Sequence, residues 1–377
     1  MIMLGEKSSM VRVLHVIGKM DRGGAETMIM NYYRNIDRSK IQFDFLVHTE
    51  KKGDYDDEII YLGGGIYRII EYLVYNTFSY KKACSNFFKE NHNYDIVHGH
   101  IGSCASIYLS EAKKYNIFTI AHSHNTKGKL DFKEIIFRIV TKNTKKIADF
   151  FCGCSLQAGI DRYGSNIAES ELFCVIPNAI DSEQYVYSDE RHRALKKEWN
   201  LENKIIFGHV GRFEKQKNHK FLIEIFSHIC KKEPSAYLIL VGDGSGKNEI
   251  ERLIIERGLG ERVILTGIRK DISNMMNLFD LFLFPSFYEG LSVALIEAQA
   301  TGLPCIISNT IDIKSVLTDN VLAISLNKTA EVWADEALTF LKSFERKNEY
   351  NRIVDANYDI KKAAEYLCDF YIVHSKG

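Results

Sequence analysis

Residues 284–301 read Phe284-Pro-Ser-Phe-Tyr-Glu-Gly-Leu-Ser-Val-Ala-Leu-Ile-Glu-Ala-Gln-Ala-Thr301, and this stretch decides how the rest of the chain is placed. Asp280-Leu-Phe-Leu-Phe284, which leads into it, is short and apolar, the pattern of a strand covered on both faces in a parallel sheet, and Pro285-Ser286 ends it. The loop then presents Glu289 and Gly290, the glycine allowing a backbone conformation closed to other residues and a close ligand approach. Ser292 stands where a helix N-cap is wanted, Val293 to Ala300 reads as helix, and Gly302-Leu-Pro304 stops it. A strand, loop and helix in this order set the helix N-terminus at the carboxyl edge of the sheet. There its free N–H groups and positive dipole end suit an anion such as a nucleotide phosphate. Glu289 and Glu297 can border one cleft, although acidic residues are favoured near helix starts by the dipole alone.

Working outward, 377 residues exceed one ordinary core and fit two α/β domains. With 49 basic and 49 acidic residues the formal charge is zero, so the overall balance does not point to nucleic acid. The eight cysteines are scattered in and beside apolar runs without a CxxC; Cys152-Gly-Cys154 falls in an expected strand, where buried free thiols are usual. A reducing cytosol is therefore expected. No apolar window suits a signal peptide or a membrane span, and Met1 to Ser9 reads as a tail.

Apolar runs alternate with amphipathic helical patterns throughout, the signature of parallel α/β architecture. Strands are expected at 11–18, 41–47, 95–98, 118–121, 150–154 and 173–176, with helices through 36, 77–90 and 103–115 between them. After Ile176-Pro-Asn-Ala-Ile-Asp181 and a charged stretch to Trp199, a second series begins at 205–213. It continues at 236–241, 262–265, 280–284, 304–307 and 321–324, and a last apolar helix covers 363–373.

Several loops in this frame carry polar chemistry. Gly23-Gly24, between the first strand and helix, suits phosphate but also a plain tight turn. Arg212 and Lys217 share one short loop; a fork donor and a mobile ammonium match a pyrophosphate, and a solvated basic loop has the same composition. Val241-Gly-Asp-Gly-Ser-Gly246 could cradle phosphate or pack as a tight turn. The pairs His98/His100 and His122/His124 put imidazoles on one strand face, as in a metal site, yet no carboxylate or thiol has ligand spacing there and structural hydrogen-bonding histidines are commoner. Asp54 and Asp56 have DxD spacing but read as surface residues of a polar loop. Residues 127–146 interleave Lys and Arg with Phe and Ile, suited either to an anionic membrane surface or to core packing with a solvated basic face.

Taken together, the Glu289-x7-Glu297 spacing with FYEGLS, the GGAE and AHSHN segments, IPNAID, the GR…K pair at Arg212 and Lys217, VGDG and TGIRKD resemble the retaining GT-B glycosyltransferases of family 4 over nearly the whole chain. The similarity is greatest to bacterial exopolysaccharide and capsule assembly enzymes; Ala179 departs from the family's usual Gly. The resemblance implies two facing Rossmann-like domains with a cleft between: 10–180 on the acceptor side, with a return helix at about 360–377, and 181–359 binding the nucleotide sugar. It implies Glu289 against the donor sugar and His122 in the sugar pocket as the catalytic groups, His122 donating to the sugar or the departing phosphate. Donor binding falls to Gly23, Gly24, Arg212, Lys217, Ile268, Gly290, Leu291, Ser292 and Glu297; Arg212 and Lys217 hold the diphosphate, and Glu297 takes the ribose hydroxyls. No cofactor and no metal is expected, the cation pair standing in for a divalent ion. The implied reaction moves a sugar, UDP-linked by family habit, to a lipid-linked or saccharide acceptor in cell-surface polysaccharide assembly, by a cytoplasmic enzyme with peripheral membrane contact. Alternatives are a nucleotide-sugar 2-epimerase of the same architecture and a non-catalytic donor-binding subunit.

Overall fold

The loops just read lie at the carboxyl ends of parallel strands in a computed structural model that describes residues 10–124, 142–289 and 292–375. The chain divides into two units, residues 1–179 with 360–377, and residues 180–359.

In the first unit β1 (Val11–Ile17), β2 (Ile41–Val47), β3 (Ile66–Arg68), β4 (Ile96–Gly99), β5 (Phe118–Ser123), β6 (Phe150–Gly153) and β7 (Phe173–Val175) form one sheet in the order β3-β2-β1-β4-β5-β6-β7. Every pairing is parallel. Such a sheet is covered on both faces, which is why its strands read as nearly unbroken apolar runs. The strand order reverses between β1 and β4, so the loops after these two strands open a crevice. Helix Ile360–His374 lies in this unit, burying Ala363, Ala364, Leu367, Phe370 and Tyr371 in the same core as helix Gly24–Asn35. β3 was not anticipated: three residues carry no periodicity, and Gly63-Gly64-Gly65 stand just ahead of it. Gly63 sits at φ +91, and a Cβ on Gly64 would lie 2.7 Å from the Phe43 carbonyl oxygen, so only glycine threads this turn.

In the second unit β8 (Ile205–Val210), β9 (Ala236–Val241), β10 (Val263–Gly267), β11 (Leu281–Phe284), β12 (Cys305–Ser308) and β13 (Val321–Ile324) pair in parallel in the order β10-β9-β8-β11-β12-β13. The reversal here falls between β8 and β11. The Arg212–Lys217 loop and the Glu289 loop are therefore neighbours although more than seventy residues separate them. Helix Val293–Ala300 has the expected bounds and is apolar on most sides, since Leu295, Ile296, Ala298, Gln299 and Ala300 are all buried. Observed strand ends differ from those read in the sequence by up to three residues, as expected where apolar runs fade into loops.

Candidate functional site

In the second unit the loops after β8 and β11 are strapped together by four contacts besides the ion pair. Phe287 N–H donates to the Gln216 carbonyl at 2.9 Å, and the Gln216 side-chain amide donates to the Tyr288 carbonyl at 2.9 Å and to Glu289 Oε2 at 3.3 Å. The Asn218 amide donates to the Pro285 carbonyl at 3.1 Å from a left-handed backbone position, φ 55, at the N-terminus of helix His219–Lys232. Asn tolerates that conformation better than other non-glycine residues. Across this seam Lys217 Nζ reaches Glu289 Oε1 at 2.8 Å, with side-chain exposures of 16% and 5%, and the ammonium lies 4.6 Å from the centre of the Phe284 ring. A charge pair so desolvated persists because each partner satisfies the other. Arg212 is exposed, and among the described residues its guanidinium has no ion-pair or hydrogen-bond partner.

Gly242, Gly244 and Gly246 pack directly under the Arg212 loop. An added Cβ would meet the Gly211 carbonyl oxygen at 2.1 Å, Phe213 backbone atoms at 2.8 Å and the Phe213 carbonyl oxygen at 2.9 Å. Of the two readings of this turn, close packing is the one these contacts favour: the glycines let one loop backbone rest on another. The Asp243 carboxylate accepts from the Gly244 N–H at 2.8 Å.

Glu297 accepts the Tyr185 hydroxyl at 2.5 Å. Burial pushes its carboxyl up to about 7, and the Tyr185 hydrogen bond works against that rise. Ser292 holds the N-cap position with extended backbone, but its hydroxyl makes no cap hydrogen bond, contrary to the usual role of serine there. The helix start is thus not closed by its own side chain. Ile268, 73% exposed, follows β10 beyond Gly267 at φ +70, and Arg269 beside it is held by Asp271 at 2.6 Å. Gly290 and Leu291 lie outside the described residues.

In the first unit Gly23 is the N-cap residue of helix Gly24–Asn35, with no side-chain cap, and Gly24 is open on its Cβ side. His122 lies at the end of β5 within a layer of five imidazoles contributed by β1, β4, β5 and the residues that follow them. His98 Nε2 meets His122 Nδ1 at 3.0 Å, His15 Nδ1 meets His100 Nε2 at 2.9 Å, and His100 Nδ1 meets His124 Nε2 at 2.7 Å. Burial first, and neighbouring imidazoles second, hold the His98, His100 and His122 rings neutral, well below the ordinary histidine value. His100, His122 and His124 line a cleft of about 100 Å³ that is open to solvent, together with Thr144 and Tyr163. Ring nitrogens of His15, His98 and His100, and of His100, His122 and His124, come within 4.8 Å of one another, so metal-ligand chemistry is sterically available there. Among the described residues, however, both nitrogens of His98 and of His100 are already engaged.

The second unit therefore brings Arg212, Lys217 and Glu289 onto adjoining loops, with Glu297, Ser292 and Ile268 on elements of the same sheet edge. Gly23, Gly24 and His122 belong to the first unit. Asp56 is corrected from the sequence reading: it is buried and paired with Arg68, while Asp54 is exposed. Of the basic stretch at 127–146, residues 127–141 lie outside the described residues. Sequence reasoning missed Gln216, Tyr185 and Tyr371, which carry no motif of their own; their roles arise from contacts made across the fold.

Comparison with known proteins adds the following. A family model described as glycosyl transferases group 1 matches residues 191–358, and one described as Glycosyltransferase Family 4 matches residues 22–184. EpsF of Bacillus subtilis (strain 168) is 34% identical over 381 residues, covering 98% of each chain. The UDP-Gal:alpha-D-GlcNAc-diphosphoundecaprenol alpha-1,3-galactosyltransferase of Escherichia coli is 27% identical over 299 residues, 74% of this chain and 75% of that one. Among solved structures, Anabaena Alr3699/HepE in complex with UDP superposes with a TM-score of 0.78 at 17% identity, covering 96% of this chain and 99% of that one.

Proposed function

The chain belongs to the glycosyltransferases of group 1 and family 4, with the α/β GT-B fold, and from that premise we propose that it transfers a sugar from a UDP-linked donor to a lipid-linked acceptor, with retention of anomeric configuration, in cell-surface polysaccharide assembly. The observation that carries this reading is the joined pair of loops at the strand reversal of the second unit, where a desolvated Lys217–Glu289 pair adjoins the Arg212 loop. A nucleoside diphosphate leaving group needs cationic donors that are in place before charge develops. Arg212 and Lys217 are two such donors on one loop, and the start of helix Val293–Ala300 adds peptide N–H groups.

In the proposed reaction the bond between the anomeric carbon and the diphosphate oxygen breaks, the acceptor oxygen bonds to that carbon on the same face, and the acceptor hydroxyl's proton passes to the departing diphosphate. Arg212 and Lys217 take up the charge on the leaving oxygen, so no divalent ion is required. Glu289, anchored by Lys217 and Gln216, faces the sugar, and Glu297 accepts from the ribose hydroxyls when ionised. His122 donates to the sugar or the departing phosphate. The Escherichia coli relative, named for a UDP-galactose donor and a diphosphoundecaprenol-linked acceptor, supports the choice of both substrates, and the UDP complex of the Anabaena protein supports the nucleotide. A basic, apolar stretch at 127–146 would bring the enzyme to the anionic leaflet that holds such a lipid.

Thermal shift with UDP and GDP, followed by transfer from candidate UDP-sugars to a polyprenyl-diphosphate sugar with NMR of the product, tests the proposal. UDP should stabilise the protein and the product should keep the donor's anomeric configuration. An inverted product, or transfer from GDP-sugars alone, would sink it.

A further inference from the structure

We propose that Tyr371, acting through His98, holds His122 in the tautomer that carries its proton on Nε2, so that the first unit presents a fixed neutral N–H donor at the cleft lined by His100, His122 and His124. Its use in catalysis rests on the glycosyl-transfer reading above; the tautomer itself does not.

The inference follows from counting protons along a buried chain. Tyr371, on helix Ile360–His374, is fully buried, and among the described residues its hydroxyl has one hydrogen-bond partner, His98 Nδ1 at 2.6 Å. A buried hydroxyl that only accepted would leave its own hydrogen without a partner, so Tyr371 donates and His98 Nδ1 accepts. A neutral imidazole that accepts at Nδ1 carries its proton on Nε2. His98 Nε2 therefore donates to His122 Nδ1 at 3.0 Å, and by the same rule His122 carries its own proton on Nε2. That nitrogen has no partner among the described residues, but its ring lines the cleft, whereas the reversed chain would strand both the Tyr371 hydrogen in the core and the His122 Nε2 lone pair. Burial keeps Tyr371 and both rings uncharged, so each has one proton to place and the chain has one direction.

The neighbouring chain shows what the tyrosine contributes. His15, His100 and His124 are linked in the same way, but among the described residues no hydroxyl closes either end, and both His15 Nε2 and His124 Nδ1 are without partners. Its three protons can run either way. Only the chain that begins at Tyr371 has its polarity set, and it ends on the histidine assigned to the sugar pocket. Tyr371 and His98 are thus positioning residues. They act on His122 rather than on substrate.

The test is NMR of the full-length protein labelled with ¹³C,¹⁵N-histidine, His122 being assigned from the signal lost in His122→Asn. Wild type should show His122 as the Nε2–H tautomer, and Tyr371→Phe should move it toward Nδ1–H. The same substitution should lower kcat about tenfold or more while donor KM stays within about twofold, because a donor is lost without a change in shape. Wild-type His122 found as Nδ1–H overturns the proposal even if the variant does not fold. So does stoichiometric zinc in the purified protein bound at His122 Nε2, which demands the opposite tautomer. A tautomer switch with unchanged kcat overturns the positioning role. Failure of wild type to transfer any sugar defeats the functional reading separately, since the spectrum reads the relay without turnover.

Discussion

Lys217 Nζ lies 2.8 Å from Glu289 Oε1, joining the loops after β8 and β11 through a charge pair that is almost withdrawn from solvent. Lys217 is therefore committed to a carboxylate before any diphosphate arrives, whereas Arg212 on the same loop is exposed. The two cations should answer differently to mutation.

Arg212→Ala should cut turnover by about a hundredfold or more while leaving stability within about 0.5 kcal/mol, since an exposed guanidinium holds nothing in place. Lys217→Ala should cost turnover similarly and also destabilise by roughly 1–3 kcal/mol, because it strands the Glu289 carboxylate with only the long Gln216 contact. Steady-state kinetics beside thermal unfolding separate the two. Equal melting temperatures for both variants would contradict the structural role of the pair.

UDP affinity should fall as pH drops through about 7, where Glu297 gains a proton and can no longer accept from both ribose hydroxyls. Tyr185→Phe removes the hydrogen bond that opposes the rise, so the midpoint should move to higher pH. The sign for stability is the reverse of the usual carboxylate. A folded value raised above the unfolded one gives a contribution fully present below about 4.5, and lost as pH rises through about 7. Glu297→Gln should thus melt higher than wild type above pH 7. Calorimetric UDP titrations from pH 5.5 to 8.5, with melting curves for the Gln variant, check both expectations.

Gly242→Ala should destabilise by roughly 1–3 kcal/mol and lower activity although Gly242 is assigned no contact with substrate. Its φ of +138 is strained for any other residue, and the new Cβ would press on the Gly211 carbonyl and push the Arg212 loop outward. Normal kinetics in a correctly folded variant would show that the glycine turn does not set the loop.

Chelation should leave transfer intact. If Arg212 and Lys217 neutralise the leaving diphosphate, activity measured in excess EDTA should match activity with added magnesium; a loss restored by magnesium would show that the cation pair does not suffice.

Much of this was legible because burial on both faces writes itself into a strand as an apolar run. β8, β9, β11 and helix Val293–Ala300 stand in the sequence almost where the structure has them. Three-residue β3 was invisible, since it shows neither length nor alternation. Asp56 reads as a surface residue because its partner, the half-buried Arg68, lies on that unforeseen strand. The VGDG turn was open between two roles until the approach of two loop backbones favoured packing.

By itself the sequence determined the alternation of strand and helix, the two sheets, and which polar residues stand at strand ends, because these follow from local periodicity and from what glycine and proline permit. It also carried the family, since the motif residues sit close together along the chain. Only tertiary structure decided who pairs with whom. Tyr185 reaches Glu297 across 112 residues and Tyr371 reaches His98 across 273, so the charge of one group and the tautomer of the other depend on contacts with no local signature. Protonation is an energy of surroundings, and the surroundings exist only once the chain has closed around them.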